Sequence, residues 1–197
     1  MNTTRTPLSR RAWLVLPLIA IAFFLSSAAI AEDLGPPVGV AAPSIGTPPD
    51  QTGKPRALAE LMGDKGLVLM FFRSAQWCPY CQGQLLDMNA GAAEIAKRGY
   101  RIAGLSYDST KILADFTAQR NIGFTLLSDP KSEVIDLYRL RDPQYPIGSK
   151  AYGVPRPIIF IIDRQGVIRG KLFEETYKTR PPVSAILAQL DALAATH

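Results

Sequence analysis

Two kinds of side chain are almost missing from this 197-residue chain, which has one histidine, His197, and two cysteines. The histidine is the last residue, on a terminus expected to fray, which excludes a histidine triad, a carboxylate–histidine relay and a His-rich metal centre. Zinc needs four ligands, and no second pair of Cys or His exists to complete a site with the cysteines. Internal repeats and low-complexity tracts are also lacking, which removes collagen, coiled coils and disordered polymers. Runs of one charge are missing too. The net charge of +5 falls to +2 without residues 1–31, which hold three arginines and no acid. So small a surplus, with basic residues scattered among acids, gives no reason to expect a nucleic-acid or acidic-lipid partner. What remains is an ordinary globular balance, 47% apolar and 20% charged, at a length suited to one domain.

The first residues stand apart. Arg5, Arg10 and Arg11 precede an uncharged stretch from Ala12 to Ala31 that ends in the small-x-small pattern Ala29-Ile30-Ala31. A basic start, an apolar middle and a small-residue exit read as a secretory signal peptide over 1–31. The apolar run is also long enough to span a bilayer, so an uncleaved anchor over 12–31 is the alternative. Ser9-Arg10-Arg11-Ala12-Trp13-Leu14 has the look of a twin-arginine signal. The expected location is extracytoplasmic, periplasmic in a Gram-negative cell, with membrane contact only through this segment.

Residues 32–56 are rich in Pro and Gly and read as a leader with a loop or hairpin; 57–197 read as the domain. Ala57–Met62 suits a short helix. The apolar run Gly66-Leu67-Val68-Leu69-Met70-Phe71-Phe72 suits a strand buried on both faces. From Cys78 the period changes: Cys81, Leu85, Met88, Ala92 and Ile95 form one stripe of an amphipathic helix. Pro79 lies in its first turn, and Gly99 follows its basic end. Then come a strand over 100–107, a helix over 110–120 with Ile112, Leu113 and Phe116 inward, a short strand over 124–127 and a helix over 133–138. Residues 142–154 have no period and read as loop. Ile158–Ile162 is a second buried strand, Asp163–Gly166 a turn into a hairpin strand over 167–172, and 182–195 a closing helix. Alternating strands and helices followed by a hairpin imply an α/β fold, a mixed central sheet with helices on both faces. The cysteines fall outside the C-terminal end of the first buried strand, where such sheets place their sites.

A thiolate is the attacking species in cysteine chemistry, and a free thiol is mostly protonated at neutral pH. At a helix N-terminus, unpaired N–H groups and the helix dipole stabilise the anion. Cys78 is expected there as an exposed thiolate, with Cys81 one turn on to resolve a mixed disulfide. Trp77 and Pro79 would partly shield the pair and offer a flat apolar surface to a polypeptide. A purely structural disulfide is the bland alternative, but so small a ring restricts little chain entropy. Two reduced core cysteines would not persist in an oxidising compartment.

The stretch from about Ser44 to Arg180 resembles the alkyl hydroperoxide reductase/thiol-specific antioxidant (redoxin) family, in particular its peroxiredoxin-like members with Trp-Cys-Pro-x-Cys. The resemblance rests on Leu69–Arg73 leading to Trp77-Cys78-Pro79-Tyr80-Cys81, on Gly104–Ser109, on Phe124–Pro130 and on Pro157–Ile168. It implies a thioredoxin-like fold with the extra strand and helix of peroxiredoxins. It also shows departures. In the family's Pro-x-x-x-Thr-x-x-Cys loop, with its cysteine aligned to Cys81, Ser74 stands at the proline and Cys78 at the threonine. The family's second active-site arginine falls on or beside Pro157, with Arg156 one place away. A proline there instead matches the thioredoxin pattern, where a cis-proline receives substrate backbone; a trans proline at the entry of a strand is the bland alternative, and Val154-Pro155 is another candidate. Thioredoxin's buried acid is replaced by Phe72. Arg73 is read either as a cation that lowers a thiol pKa or as a surface residue at a strand end.

Three functions fit these features. The first is an exported thiol–disulfide oxidoreductase in which Cys78 attacks and Cys81 resolves, supported by Trp77, Pro79, Tyr80, Arg73, Arg156 and Pro157. The second is a thiol peroxidase that attacks a hydroperoxide with Cys81 or Cys78. The third is a non-catalytic binding module; copper-binding relatives of the fold add a histidine, which the body of this chain lacks. Either enzyme needs no cofactor or metal. Each needs a disulfide or hydroperoxide substrate and an external thiol reductant or oxidant.

Overall fold

The computed structural model describes Met1 and residues 33–195, and the chain divides into two units, residues 1–31 and residues 32–197. The segment read as an export signal, apart from Met1, lies outside the described residues, as does His197. All the secondary structure described belongs to the second unit.

Five strands form one sheet in the order β3-β2-β1-β4-β5. The central strand β1 (Gly66–Phe71) pairs in parallel with β2 (Tyr100–Ser106), and β2 in parallel with β3 (Thr125–Ser128). On its other side β1 pairs antiparallel with β4 (Ile158–Asp163), which turns through a hairpin into β5 (Ile168–Leu172). All six residues of β1 are buried, as a continuous apolar run predicts for a strand covered on both faces.

Alternation along β1 divides the core in two. Val68, Met70 and Phe72 pack with α2 (Pro79–Lys97), α3 (Thr110–Arg120) and α5 (Val183–Ala195) through Leu85, Met88, Ile95, Leu113, Phe116, Ile186 and Leu190. Leu67, Leu69 and Phe71 face the other way, onto α1 (Leu58–Leu61), α4 (Glu133–Leu137) and the leader, through Leu61, Val134, Ile135, Leu34 and Ile45. Burying each large aliphatic side chain stabilises the fold by about 1.5–3 kcal/mol. Between α3 and β4 the chain inserts β3 and α4, the extra strand and helix that the resemblance implied.

The leader is stitched to the sheet rather than built into it. Ala41 bridges Val167, Asp50 bridges Leu127, and Pro49 pairs with Pro55 across a tight hairpin. Asp50 is the anchor of that hairpin. Burial pushes its carboxyl up, but bonds from the Thr52 hydroxyl, Arg56 and the N–H groups of Thr52 and Lys54 hold it down to about 2. Asp50 itself is buried, whereas Thr52 and Lys54 stay exposed.

One reading left open by the sequence is decided here. No peptide bond is cis among the described residues, so of the two readings of Pro157 the trans proline at a strand entry holds, and Pro155 is trans as well. Pro157 instead leads into β4, where a missing N–H at the first position is tolerated. Strand and helix bounds otherwise fall within a residue or two of the pattern, because buried runs and the helical stripe are set by burial itself.

Candidate active site

The chain leaves β1 at the edge where β2 ends and β4 begins: Phe71 lies opposite Leu105 on one side and Ile158 on the other. Residues 72–78 therefore run across the same rim as Tyr107, Asp108, Arg156 and Pro157. A buried carboxylate pins this loop. Asp108 accepts from Ser74 Oγ (2.8 Å), the Ala75 N–H (2.7 Å) and Ser106 Oγ (3.0 Å). Burial pushes its pKa up, and these bonds pull the other way. From the helix side, Gln82 Nε2 donates to the carbonyls of Ala75 (2.8 Å) and Gln76 (3.1 Å). The position where the family loop has proline thus has a serine, held by hydrogen bonds instead of ring stiffness.

Cys78 is the N-cap of α2, with Pro79 at the first helical position. Its Sγ accepts the Cys81 N–H at 3.3 Å, and its carbonyl accepts from Cys81 and Gln82. This places one sulfur at the positive end of a 19-residue helix. Cys78 and Cys81 are joined as a disulfide across a Cα–Cα distance of 5.3 Å. The expected open thiol is corrected: Cys78 is 2% exposed and Cys81 fully buried. The motif's aromatic neighbours remain on the surface, Trp77 at 42% and Tyr80 at 43% exposure. Trp77 donates from its indole nitrogen to the Tyr107 hydroxyl at 2.9 Å, and Tyr80 meets the edge of Tyr177.

The guanidinium at the sulfurs is that of Arg180. Its Nη2 lies 3.3 Å from Cys81 Sγ and 4.0 Å from Cys78 Sγ. Burial, and then the positive charge of Arg73, lower its pKa to about 10, so it is charged at neutral pH. Nothing local in the sequence announces Arg180. It stands 99 residues from Cys81, between β5 and α5, in a segment without periodicity. Arg156 and Pro157, the positions favoured from the sequence, reach the same edge at the start of β4, where the Arg156 N–H bonds to the Leu140 carbonyl.

Arg73 corrects the surface reading. It is 1% exposed and is caged by rings, with its guanidinium carbon 4.0 Å from the centre of Tyr177, 5.0 Å from Tyr145 and 5.3 Å from Trp77. Its Nη2 donates to the Tyr145 hydroxyl. Aromatic faces, not a carboxylate, surround this cation. Tyr145 and Tyr177 belong to loops that no periodicity marked, whereas Asp108 lies within a stretch that carried the family resemblance. Among the described residues no group of three or more His, Cys, Asp or Glu is placed to hold a metal ion.

The sequence profile described as the AhpC/TSA family matches residues 38–171. A peroxiredoxin-designated bcp protein of Coxiella burnetii is 32% identical over 131 residues, which are 66% of this chain and 84% of that protein. Peroxiredoxin Bcp of Escherichia coli K12 is 30% identical over 120 residues, 61% of this chain and 75% of its own. Among solved structures, the peroxidoxin BcpB of Mycobacterium tuberculosis superposes with a TM-score of 0.69 at 25% identity, covering 79% of this chain and 97% of that one.

Proposed function

This chain belongs to the AhpC/TSA family and is a thiol-dependent oxidoreductase, and on that premise we propose that it reduces hydroperoxides, with Cys81 as the attacking sulfur and Cys78 as its resolving partner. Disulfide exchange, the first expectation from the motif, gives way to peroxide reduction because the relatives of matching sequence are peroxiredoxins. The single observation behind the choice of sulfur is the Arg180 guanidinium, closer to Cys81 at 3.3 Å than to Cys78 at 4.0 Å. A cation at that distance favours the thiolate over the thiol.

In the reduced protein the Cys81 thiolate attacks the terminal oxygen of ROOH. The S–O bond forms as the O–O bond breaks, and RO⁻ leaves as the alcohol after taking a proton from solvent. Arg180 faces the negative charge that passes from sulfur to oxygen. Cys78 then attacks the Cys81 sulfenic acid, water departs, and the Cys78–Cys81 disulfide closes. That bond is already within reach across the first turn of α2. Two equivalents of an external thiol return the electrons by exchange, ending as a second disulfide. Asp108 takes no proton in this scheme; it holds the Ser74–Ala75 loop so that the cap of α2 keeps its place.

Cys78 as the attacking thiol of a disulfide exchange is the second reading, favoured by its place at the cap of α2 and by the exposed rim of Trp77 and Tyr80. We also propose that the protein works outside the cytoplasm, on the basic, apolar and Ala-x-Ala pattern of residues 1–31.

Trapping of sulfenic acid by a 1,3-dione, read by mass spectrometry, separates the readings. Reduced Cys78→Ser should accumulate the adduct on Cys81 when given hydrogen peroxide, and Cys81→Ser should lose peroxide reactivity by at least about 100-fold. The reverse pattern, adduct on Cys78 and none on Cys81, removes the assignment.

A further inference from the structure

Arg73 has the largest side chain that is fully buried among the described residues, and its charge has no acid beside it. Its Nη2 is used by Tyr145, while Nε and Nη1 are buried without a hydrogen-bond partner. Leaving guanidinium N–H groups buried and unmet is costly, so a site that keeps two of them so points to a ligand that meets them. Arg180 is the second cation there. It touches the same tyrosine, donating to the Tyr177 carbonyl while Arg73 stacks on the Tyr177 ring, and its Nε is also buried and unmet. Among the described residues no ion pair joins either arginine to a carboxylate. Asp108, the buried acid of this loop, spends its oxygens on Ser74, Ala75 and Ser106.

Resting on the reading that the Cys78–Cys81 pair is the reaction centre, we propose that Arg73 and Arg180 form an anion subsite that takes the carboxylate of a small redox substrate. The unmet N–H groups of two cations suit the charged acceptor oxygens of a carboxylate better than a neutral amide or alcohol. The rings of Tyr145, Tyr177 and Trp77 lie against the Arg73 guanidinium, so a ligand that reaches it meets aromatic faces and is best matched by a compact, apolar body. Arg180 links the subsite to the chemistry, because the same guanidinium faces both sulfurs. A ligand whose carboxylate engages this pair brings its reactive end to the disulfide. With the oxidised protein that end is a thiolate, which bonds to one cysteine sulfur as the S–S bond breaks and its electron pair leaves on the other. With the reduced protein it is a hydroperoxide group.

The test uses the full chain and two unreactive probes, propionate and its neutral isostere propionamide, at an ionic strength fixed with chloride. Propionate should slow reduction of the Cys78–Cys81 disulfide by 2-mercaptoethanol in a saturable way, and propionamide should not. In the thiol arm, 3-mercaptopropionate should reduce the disulfide about ten-fold faster than 2-mercaptoethanol at equal thiolate concentration. In the peroxide arm, a carboxylate-bearing hydroperoxide should oxidise the reduced chain faster than a neutral one of the same size. The arm that responds identifies the source of the carboxylate, and Arg73→Gln should abolish the propionate effect. Equal behaviour of propionate and propionamide in the wild-type chain overturns the subsite without need of any variant. A chain that binds propionate but reduces no hydroperoxide would sink the peroxidase reading and leave the subsite standing.

Discussion

Arg180 carries a cost in the oxidised protein and a function in the reduced one. Its lowered pKa means the fold disfavours its charge. That penalty is complete below about 10 and lifts as the pH rises from there towards the ordinary arginine range. With the disulfide closed no thiolate repays it. Arg180→Gln should therefore leave the oxidised protein as stable as before, or slightly more so, in urea denaturation at pH 7. In the reduced protein the same variant should raise the Cys81 thiol pKa by about 1–2 units, read from thiolate absorbance, and slow peroxide reduction at neutral pH about ten-fold. At a pH high enough to ionise the thiol in both chains, the advantage in thiolate fraction disappears and the two rates should converge. A Cys81 pKa unchanged by the substitution would return the choice of sulfur to Cys78. At this scale the sequence was only partly readable. The cysteines, Trp77, Pro79 and Tyr80 stand together in one five-residue run, but Arg180 reaches them only through the path of the chain after β5.

Among the elements, the central strand shows how little room the site's platform leaves. Gly66 opens β1 with φ at +155°, where a side chain is rarely found, and a Cβ there would lie 2.0 Å from the Ile162 carbonyl oxygen and 2.9 Å from the Tyr100 ring. Neither the β4 backbone nor a buried ring can withdraw without loosening the β1–β4 ladder. Gly66→Ala should cost about 3 kcal/mol or more in urea denaturation, against about 1 kcal/mol for a typical substitution. A loss below 1 kcal/mol would mean the ladder end frays. The elements themselves were legible: β1 and β4 as continuous apolar runs, and α2 by the stripe Cys81, Leu85, Met88 and Ile95, all buried. The leader was not, since a chain held by isolated bridges and by the Asp50 hydrogen bonds has no hydrophobic period to read.

At the scale of the whole molecule, the core clusters and strand pairings found among the described residues are drawn from residues 34–190. As residues 1–31 read from the sequence as a signal removed on export, a chain beginning at Glu32 should unfold at the same temperature as the full chain, within about 2 °C, with the same peroxide reactivity. A fall of more than about 5 °C would show that residues 1–31 contribute to the folded domain. Cleavage after Ala31 in an exported sample, read by N-terminal sequencing, is the matching expectation for the export segment.

Taken by itself, the sequence determined the short-range pattern: which runs are buried, where the long helix begins, and that two cysteines share its first turn. Burial periodicity and spacing along one helix are local properties, so one chain of letters suffices for them. Only the tertiary structure decided the electrostatics of the sulfurs. It turned Arg73 inward into a ring of aromatics, carried Arg180 across 99 positions to Cys81, and closed both sulfurs of the disulfide from solvent. Charge acts through space and falls with distance, and distance between residues far apart in the chain is set by packing alone.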